Sequence, residues 1–504
     1  MLGKGRYVGH TPYASRQPTG CCGAQHHQRC GIAYSRRLKY SAPLRVINGG
    51  SMFKESLLST PQVTSSRAAV WVALLGGLLA LLIRWYFVTR AQVMAPLYDA
   101  GGWGDASEYY RYAWNLVHHG LFSGDIAGTA HPLSDSYRDP AYPTYLALFM
   151  WATSNYDQWY AFVLLSHALL GGATVTFAVL AMRHAFPTWL LAFAAIVMAF
   201  WPHLVSITAY VLTENLTALC CALAALALAE ASRRVSKAWT VVAGLSLAAA
   251  ALTNAVLAPL IFPLVITLAW KKSMPWRNLL LLAAITLMPL LAWNIRGSLI
   301  HGATSASLRA DINLVQGSWP TYHAAAQLWG HHDPVGMQTM DAISDEIAIL
   351  RADRVLGLRV MADRMSRTPW AYAMWYLRKP ALLWGWEIGL GAGDIYAYPT
   401  RHSPYITNPF MRATEAIAYM LNGVLAIAAL AGLLLVMSNR RSPAELLFLA
   451  VSCAWVTLVY WILQSDSRYS IPYRTAEISL ACVTVWAAVQ YARKRNPRLP
   501  VLNR

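Results

Sequence analysis

The sequence predicts an all-α protein, a polytopic transmembrane helical bundle of about ten spans with two long extracytoplasmic loops that carry interfacial helices. The 504-residue chain is 57% hydrophobic and only 13% charged, which is too apolar for an ordinary soluble protein. Its apolar residues fall in long runs, and its Lys and Arg residues cluster between those runs. Because no backbone group can stay unpaired in hydrocarbon, runs of about 20 apolar residues form spanning helices.

The formal net charge is +18. In a soluble protein this excess would suggest a nucleic-acid partner, but here the cations lie beside apolar stretches, where they set membrane topology. We therefore expect no nucleic-acid partner. The seven cysteines are split between the first 51 residues and the apolar segments, so we also expect a fold without disulfides.

Each predicted span is an apolar run of roughly the length that crosses a bilayer. The ten spans lie near 68–88, 158–182, 187–204, 210–231, 238–254, 255–270, 276–294, 411–437, 443–463 and 472–492. The fifth and sixth share one apolar run, which is too long for a single span and which Pro259 interrupts. We divide this run at Asn254.

The connecting charges predict the orientation, since Lys and Arg collect on the cytoplasmic side. With the amino terminus inside, every cytoplasmic connection is basic, and both termini are cytoplasmic. Of the 23 acidic residues, seven fall in 89–157 and nine in 295–410, the two loops that this topology places outside. The protein is thus predicted to be a multi-pass membrane protein of the inner (plasma) membrane type; the bacterial membrane is what the family resemblance given below implies.

The domain organisation follows from these patterns. Residues 1–66 form a basic leader, whose first 51 residues hold eight Lys or Arg and no Asp or Glu, so we expect disorder. A start of translation at Met52 is one hypothesis for this segment. The transmembrane domain occupies 67–492, and 493–504 form a basic cytoplasmic tail.

Three stretches of the predicted outer loops have sequence patterns typical of helices. Aromatic and small residues recur at helical spacing in 105–120, which predicts a helix lying along the membrane surface. A second interfacial stretch is 370–388, which Pro380 should break into two pieces. The run 345–367 predicts an amphipathic helix that covers the site.

Asp105 is the main catalytic candidate. It follows a glycine-rich turn, GGWG, at the start of the 105–120 helix, so its carboxylate is expected at the membrane surface. A carboxylate there could take a proton from an acceptor hydroxyl or hold a divalent cation. The alternative is a helix cap, since Asp is among the commonest N-caps.

Other polar residues are placed to line the same surface. Arg138 lies in the stiff turn RDPAYP, and its planar guanidinium suits a phosphate or a carboxylate. Glu214 lies at the outer end of the fourth span, where ionisable groups are usually functional or paired. Arg468 and Tyr469 lie between the last two spans, at the depth of a lipid phosphate. Pairing with Asp139 or with lipid headgroups is the alternative for Arg138, and snorkelling is the alternative for Arg468.

Taken in order, these motifs resemble the GT-C superfamily of polyprenyl-phosphate-sugar glycosyltransferases, especially relatives of protein O-mannosyltransferases and lipid A aminoarabinose transferase. The resemblance covers most of 68–492. Its motifs are ALLIRWYF with Arg84, the GDA start of the first loop, RDPAYP with Tyr142, LTEN, WNIRG with Arg296, and RYSIP.

The resemblance implies an inverting transfer of a sugar from a polyprenyl-phosphate carrier to a glycan, lipid or protein acceptor of the envelope. It implies that Asp105 is catalytic. The substrate-binding residues that we predict are Arg84, Glu108, Arg138, Tyr142, Glu214, Arg296, Arg468 and Tyr469. Two features depart from the family: LTNAVLAP lacks the Arg-Pro pair of many relatives, and Ala106 leaves no Asp-x-Asp motif. A divalent cation is compatible with the sequence but not required by it.

Two other functions remain open on the sequence alone. A transporter or lipid flippase would also have many spans and an intramembrane Glu214, although we find no inverted repeat. A polysaccharide polymerase or ligase acting on undecaprenyl-linked glycans would also use arginines at this depth.

Overall fold

The described structure is almost entirely helical, as its apolar runs predict. The computed structural model describes residues 67–93, 104–301, 305–388 and 400–495. The predictions made for the leader, for residues 101–103 of the glycine-rich turn and for the last nine residues of the tail lie outside these ranges. Within the described residues, the only β-type pairing is an isolated bridge between Gln92 and Arg401.

The described α-helices, numbered in chain order, comprise long apolar helices and shorter ones. They are α1 Arg67–Val88, α2 Asp105–His119, α3 Ala141–Ala152, α4 Tyr156–Met182, α5 Thr188–Phe200, α6 Pro202–Ser206, α7 Glu214–Arg234, α8 Lys237–Thr253, α9 Ile261–Trp270, α10 Trp276–His301, α11 Ser305–Gly317, α12 Tyr322–Gly330, α13 Pro334–Ala352, α14 Arg354–Arg367, α15 Pro369–Leu383, α16 Pro404–Thr407, α17 Pro409–Ser438, α18 Ala444–Ile462 and α19 Arg474–Arg495. Short 3₁₀ turns cover Ile207–Ala209, Ala255–Leu260 and Ser467–Tyr473.

Six of these helices are long and apolar enough to cross a membrane: α1, α4, α7, α10, α17 and α18. A seventh span results if α5 and the segment Pro202–Ala209, which meet at an angle of 55°, are counted together. The predicted count of ten is therefore not confirmed. Helix α8, at 17 residues, and Ala255–Trp270 are short for a span, while α19 is long enough but less apolar.

The break predicted at Asn254 is confirmed. Helix α8 ends at Thr253, and Asn254 adopts an extended conformation with φ −144° and ψ 105°. Its side chain then accepts a hydrogen bond from the backbone N–H of Val256 and caps the following 3₁₀ turn. The polar side chain thus supplies an acceptor where the helical hydrogen bonds are interrupted.

The prediction that Pro380 splits its helix is wrong. Helix α15 runs through Pro380 without interruption. A proline removes the donor for the carbonyl four residues earlier, here that of Tyr376. The indole N–H of Trp461 on α18 donates to this carbonyl at 2.7 Å, so a tertiary contact replaces the missing helical bond.

The single amphipathic helix predicted over 345–367 is two helices. Asp353 is extended, and its carboxylate accepts hydrogen bonds from the N–H groups of Val355 and Leu356, which starts α14. Together with α11, α12 and α13, this helix surrounds a small second core. The core consists of the buried residues Val315, Tyr322, Ile343, Leu350 and Met361.

Candidate active site

Asp105 is the first residue of α2, and its position depends on the glycine before it. Gly104 has φ 110° and ψ 169°, a conformation that residues with a side chain rarely adopt. Asp105 does not cap the helix, because the capping position is Gly104 and no side-chain cap bond forms there. Its carboxylate is therefore available for contacts outside its own helix.

Arg138, from the turn before α3, makes the first of these contacts. Its Nη2 donates to Oδ1 of Asp105 at 2.6 Å, and its Nε donates to Oε2 of Glu108 at 2.6 Å. The guanidinium also lies 5.0 Å from the ring centroid of Tyr109. Arg138 is buried, so the two carboxylates on one face of α2 fix it in place.

Arg468 closes the cluster from the opposite end of the sequence. Its Nη2 donates to Oδ2 of Asp105 at 2.7 Å, and its Nε lies 3.4 Å from Oε1 of Glu214 in a wider ion pair. Only 8% of Arg468 is exposed. Among the described residues, its buried Nη1 has no hydrogen-bond partner. A buried donor left unpaired costs about 1–3 kcal/mol, so this atom is a candidate contact for a ligand.

Five of the predicted site residues thus meet, although they come from distant segments: Asp105, Glu108, Arg138, Glu214 and Arg468. Each carboxylate oxygen of Asp105 is paired with one arginine. Arg138 also pairs with Glu108, and Arg468 also pairs with Glu214. Burial alone would raise the pKa of Asp105. The charges and hydrogen bonds of Arg138 and Arg468 outweigh burial and hold the pKa of that carboxyl well below its usual range. Asp105 is an anion throughout the physiological pH range.

A further ion pair beside this cluster was not predicted from the sequence. Arg309 of α11 pairs with Asp139, and Asp139 also accepts a hydrogen bond from the N–H of Ala255 at 3.1 Å. Asp139, the alternative partner of Arg138, thus pairs with Arg309 instead. Nothing in the sequence singles out this arginine, since it is one of nine in 295–410.

Two of the predicted binding residues surround the cluster with aromatic rings. Tyr142 is fully buried, contacts the ring of Tyr109 edge-on at 5.1 Å, and hydrogen-bonds to His167 Nε2 at 3.1 Å. Tyr469 stacks on Tyr460 with ring centroids 4.8 Å apart, and the guanidinium of Arg468 lies 5.2 Å from its ring.

Arg84 lies away from Asp105 and binds backbone carbonyls. It donates to the carbonyl oxygens of Ala80, Met198 and Ala199 at 3.1–3.3 Å. Pro202 has no N–H for the carbonyl of Met198, four residues earlier. Arg84 supplies the missing donor at the end of α5, where the chain bends. Arg84 and Glu214 line one small internal cavity.

Arg296 also has structural contacts. Its Nη1 donates to the carbonyl oxygen of Asp135 at 2.9 Å, and its guanidinium lies 4.6 Å from the ring of Trp293. These contacts join α10 to the segment before Arg138. A binding role for Arg84 or Arg296 stays a prediction.

A metal site would need several His, Cys, Asp or Glu side chains close together. Across 67–93, 104–301, 305–388 and 400–495, no three or more His, Cys, Asp and Glu side chains come together in a way that would hold a metal ion. Asp333, in the predicted second outer loop, caps α13 by accepting hydrogen bonds from the N–H groups of Val335 and Gly336.

No protein family matches this sequence, and no curated protein matches it. Solved structures do resemble the fold. The oligosaccharyltransferase of Archaeoglobus fulgidus, tethered to an acceptor peptide with the NVT sequon, matches with a TM-score of 0.47 and 13% identity over 85% of this chain and 50% of that one. The same archaeon's oligosaccharyltransferase AglB, in complex with an inhibitory peptide and a dolichol-phosphate, matches with a TM-score of 0.45 and 15% identity. This match covers 86% of this chain and 52% of that one.

A bacterial structure is similar over more of its own length. ArnT from Cupriavidus metallidurans, bound to undecaprenyl phosphate, matches with a TM-score of 0.36 and 15% identity over 85% of this chain and 81% of that one. The chain spans about half the length of the two archaeal proteins. These matches are a structural similarity to an archaeal oligosaccharyltransferase and to ArnT at low sequence identity.

Proposed function

We propose that this protein is an inverting glycosyltransferase of the bacterial inner membrane. It moves a sugar from a polyprenyl-phosphate carrier to an envelope acceptor on the extracytoplasmic face. The observation that carries this proposal is the carboxylate of Asp105 held between Arg138 and Arg468, with Nη1 of Arg468 buried and unpaired within the described structure. An anionic group flanked by two guanidiniums suits a reaction in which an acceptor hydroxyl meets a departing phosphate.

The reaction that fits these groups is a single displacement. The acceptor oxygen forms a bond to the anomeric carbon while the bond from that carbon to the phosphate oxygen breaks, and its electron pair leaves with the lipid phosphate. Attack from the side opposite the leaving group inverts the anomeric centre. The acceptor must be held in line with the bond that breaks, and such positioning supplies much of the catalysis in transfers of this kind.

Asp105 is the residue proposed to hold the acceptor. Its low pKa makes it a weak base, so its main task is to accept a hydrogen bond from the acceptor hydroxyl and orient its oxygen. As the new bond forms, the proton passes through the carboxylate to water. Glu108 and Glu214 keep the two arginines in place while this occurs.

Arg468 is the residue proposed to stabilise the leaving phosphate. Its Nη2 remains on Asp105 while Nη1 is available to a phosphate oxygen. One guanidinium would then bridge the acceptor-binding carboxylate and the donor phosphate. Arg138 adds positive charge on the other side of Asp105, and removal of one such charge-stabilising donor typically costs on the order of 10²–10³ in rate.

Reconstitution of the purified protein with lipid-linked sugars tests the proposal. Polyprenyl-monophosphate sugars should be consumed, with transfer of the sugar to an envelope extract and release of the carrier phosphate. A flippase would move the donor across vesicles without cleaving it. A polymerase or ligase would require a diphosphate-linked glycan. Either result in place of transfer from the monophosphate would overturn the proposal.

A further inference from the structure

The segment that carries Arg468 is bound on several sides by the second outer loop. We call residues 463–467, between α18 and Arg468, the strap. The N–H of Gln464 donates to the carbonyl oxygen of Asn313 on α11 at 2.8 Å. The carboxylate of Asp466 accepts from the N–H of Arg468 at 2.8 Å. The position of the arginine therefore depends on where the strap lies.

The strap and α11 approach each other at a glycine. A Cβ added to Gly317 would collide with backbone atoms of Leu463 and Gln464. These atoms cannot rotate away as the end of a flexible side chain can, so the strap and the end of α11 have a fixed separation. His323 on α12 adds a hydrogen bond to the carbonyl oxygen of Ser465 at 2.8 Å.

Lys379 of α15 joins these parts. It is fully buried, and its Nζ donates to the carbonyl oxygens of Gly317, Ile462 and Leu463 at 3.0, 3.2 and 2.5 Å. In return, the hydroxyl of Ser465 donates to the carbonyl oxygen of Lys379 at 3.1 Å. One ammonium group thus binds the end of α11, the end of α18 and the first residue of the strap.

We propose that Lys379 is a positioning residue for the donor phosphate, because it fixes the strap and thereby the guanidinium of Arg468. This inference rests on the proposed function, in which Arg468 contacts that phosphate. Lys379 itself does not touch the substrate. Its ammonium has three donors, and each binds one of the three carbonyls, so the charge is satisfied only while these backbone ends meet in this geometry.

The variant Lys379→Met keeps most of the length of the side chain and removes its charge. We expect the Kd of a polyprenyl-phosphate sugar to rise roughly 2- to 30-fold, the range found for residues that act on a ligand through others. Lys271→Met is the matched control. That lysine also donates to two helix-end carbonyls, those of Met437 and Asn439, at 2.5 and 3.0 Å, but it has no contact with the strap. Donor binding should not change in the control.

A double-mutant cycle separates positioning from general destabilisation. If Lys379 acts through Arg468, then Lys379→Met should add little to the loss of donor binding in Arg468→Ala. Additive losses would overturn the inference, as would unchanged binding in Lys379→Met alone. If Lys379→Met does not fold, Ser465→Ala is the milder variant, and its smaller loss should likewise disappear in the Arg468→Ala background.

The same cycle identifies which proposal fails. Unchanged donor binding in Arg468→Ala itself would contradict the proposed function. A loss in Arg468→Ala together with unchanged binding in Lys379→Met would leave the proposed function standing and reject only the role of Lys379.

Discussion

Asp105 and Arg468 are 363 residues apart in the sequence, yet Nη2 of the arginine donates to Oδ2 of the aspartate at 2.7 Å. The other carboxylate oxygen is taken by Arg138 at 2.6 Å. The cluster therefore depends on the first predicted outer loop and the last one together, and each of the following predictions perturbs one part of it.

Asp105→Asn should reduce turnover of a lipid-linked sugar by about 10²–10⁴-fold, the usual contribution of a group that handles a proton. The amide still accepts a hydrogen bond, but it removes the negative charge between two arginines. Turnover by folded, donor-binding protein is the measurement. Asp157→Asn is the matched control, because Asp157 also lies in the first turn of a helix and is exposed. Near-wild-type turnover of Asp105→Asn would make Asp105 structural.

Arg138→Ala and Arg468→Ala should each weaken donor binding, and Arg468→Ala should do so more, since its Nη1 is the buried donor without a partner among the described residues. Binding of a polyprenyl-phosphate sugar to detergent-solubilised protein measures the effect, with thermal unfolding recorded in parallel. Unchanged affinity in both variants would limit the two arginines to a structural role as ion-pair partners of the three carboxylates.

Gly317→Ala should destabilise the protein by about 1–3 kcal/mol, the usual range for an overpacked site. The added methyl group meets the backbone of the strap, which has no rotamer to change. Thermal unfolding compared with Gly423→Ala is the test, because a Cβ at Gly423 meets nothing within 4 Å. Equal melting temperatures for the two variants would contradict the close approach.

Donor binding should weaken as the pH rises from 6 to about 9. Burial lowers the pKa of Lys379 to about 7, so the ammonium with three donors becomes an amine with two, and one of its three carbonyls loses its bond. The free energy of unfolding should instead increase as the pH rises. The unfolded lysine keeps its proton up to about pH 10.4, so the unfolded state binds more protons between pH 7 and that value and the free energy of unfolding rises.

Lys379→Met should remove both pH effects. Nearby charged or titratable side chains include His323 and Asp466, whose Nδ1 and Oδ2 lie 3.7 Å apart, Tyr376 beside the ammonium, and Arg364, which donates to Ser318. The same profiles recorded for His323→Asn assign the effect. A profile lost in that variant and kept in Lys379→Met would move the assignment to the histidine.

The topology prediction is that 89–157 and 295–410 face outward, since the basic residues between spans define the other side. Single cysteines introduced at exposed positions of these loops, such as Asp157 and Asp363, should react with impermeant reagents in intact cells. A cysteine in place of the basic-side residue Lys237 is the control that should be protected. Protection of both loops would reverse the orientation and remove the basis for an external site.

Local patterns in the sequence were sufficient for several features of the fold. The helical spacing over 105–120 corresponds to α2, and the break at Asn254 is present, because both depend on neighbours within a few residues. Asp105, Arg138, Glu214 and Arg468 also meet as a cluster. Asp105 and Arg138 stood out in their glycine-rich and proline-stiffened turns, and Glu214 and Arg468 as charges at the ends of apolar spans, where charge needs a partner.

Other features depend on contacts that no local pattern contains. The continuity of α15 through Pro380 depends on the indole of Trp461. The separation of α13 from α14 depends on one aspartate cap. Arg309 and Lys379 were missed because each resembles the many other cations of a long loop, and only the acceptors brought to them from other segments distinguish them.

The separation of Asp105 and Arg468 along the chain also sets the interval between their synthesis. At the usual 5–20 residues per second of synthesis, the two residues leave the ribosome roughly 20 to 70 s apart. Arg138 follows Asp105 within a few seconds, so one half of the charge cluster can form early. The carboxylate of Glu214 must wait for the arginine of the final loop. A nascent chain synthesised up to α18 therefore holds a carboxylate-rich, unfinished site, and the final segment, which carries Arg468 and α19, is the one that neutralises it.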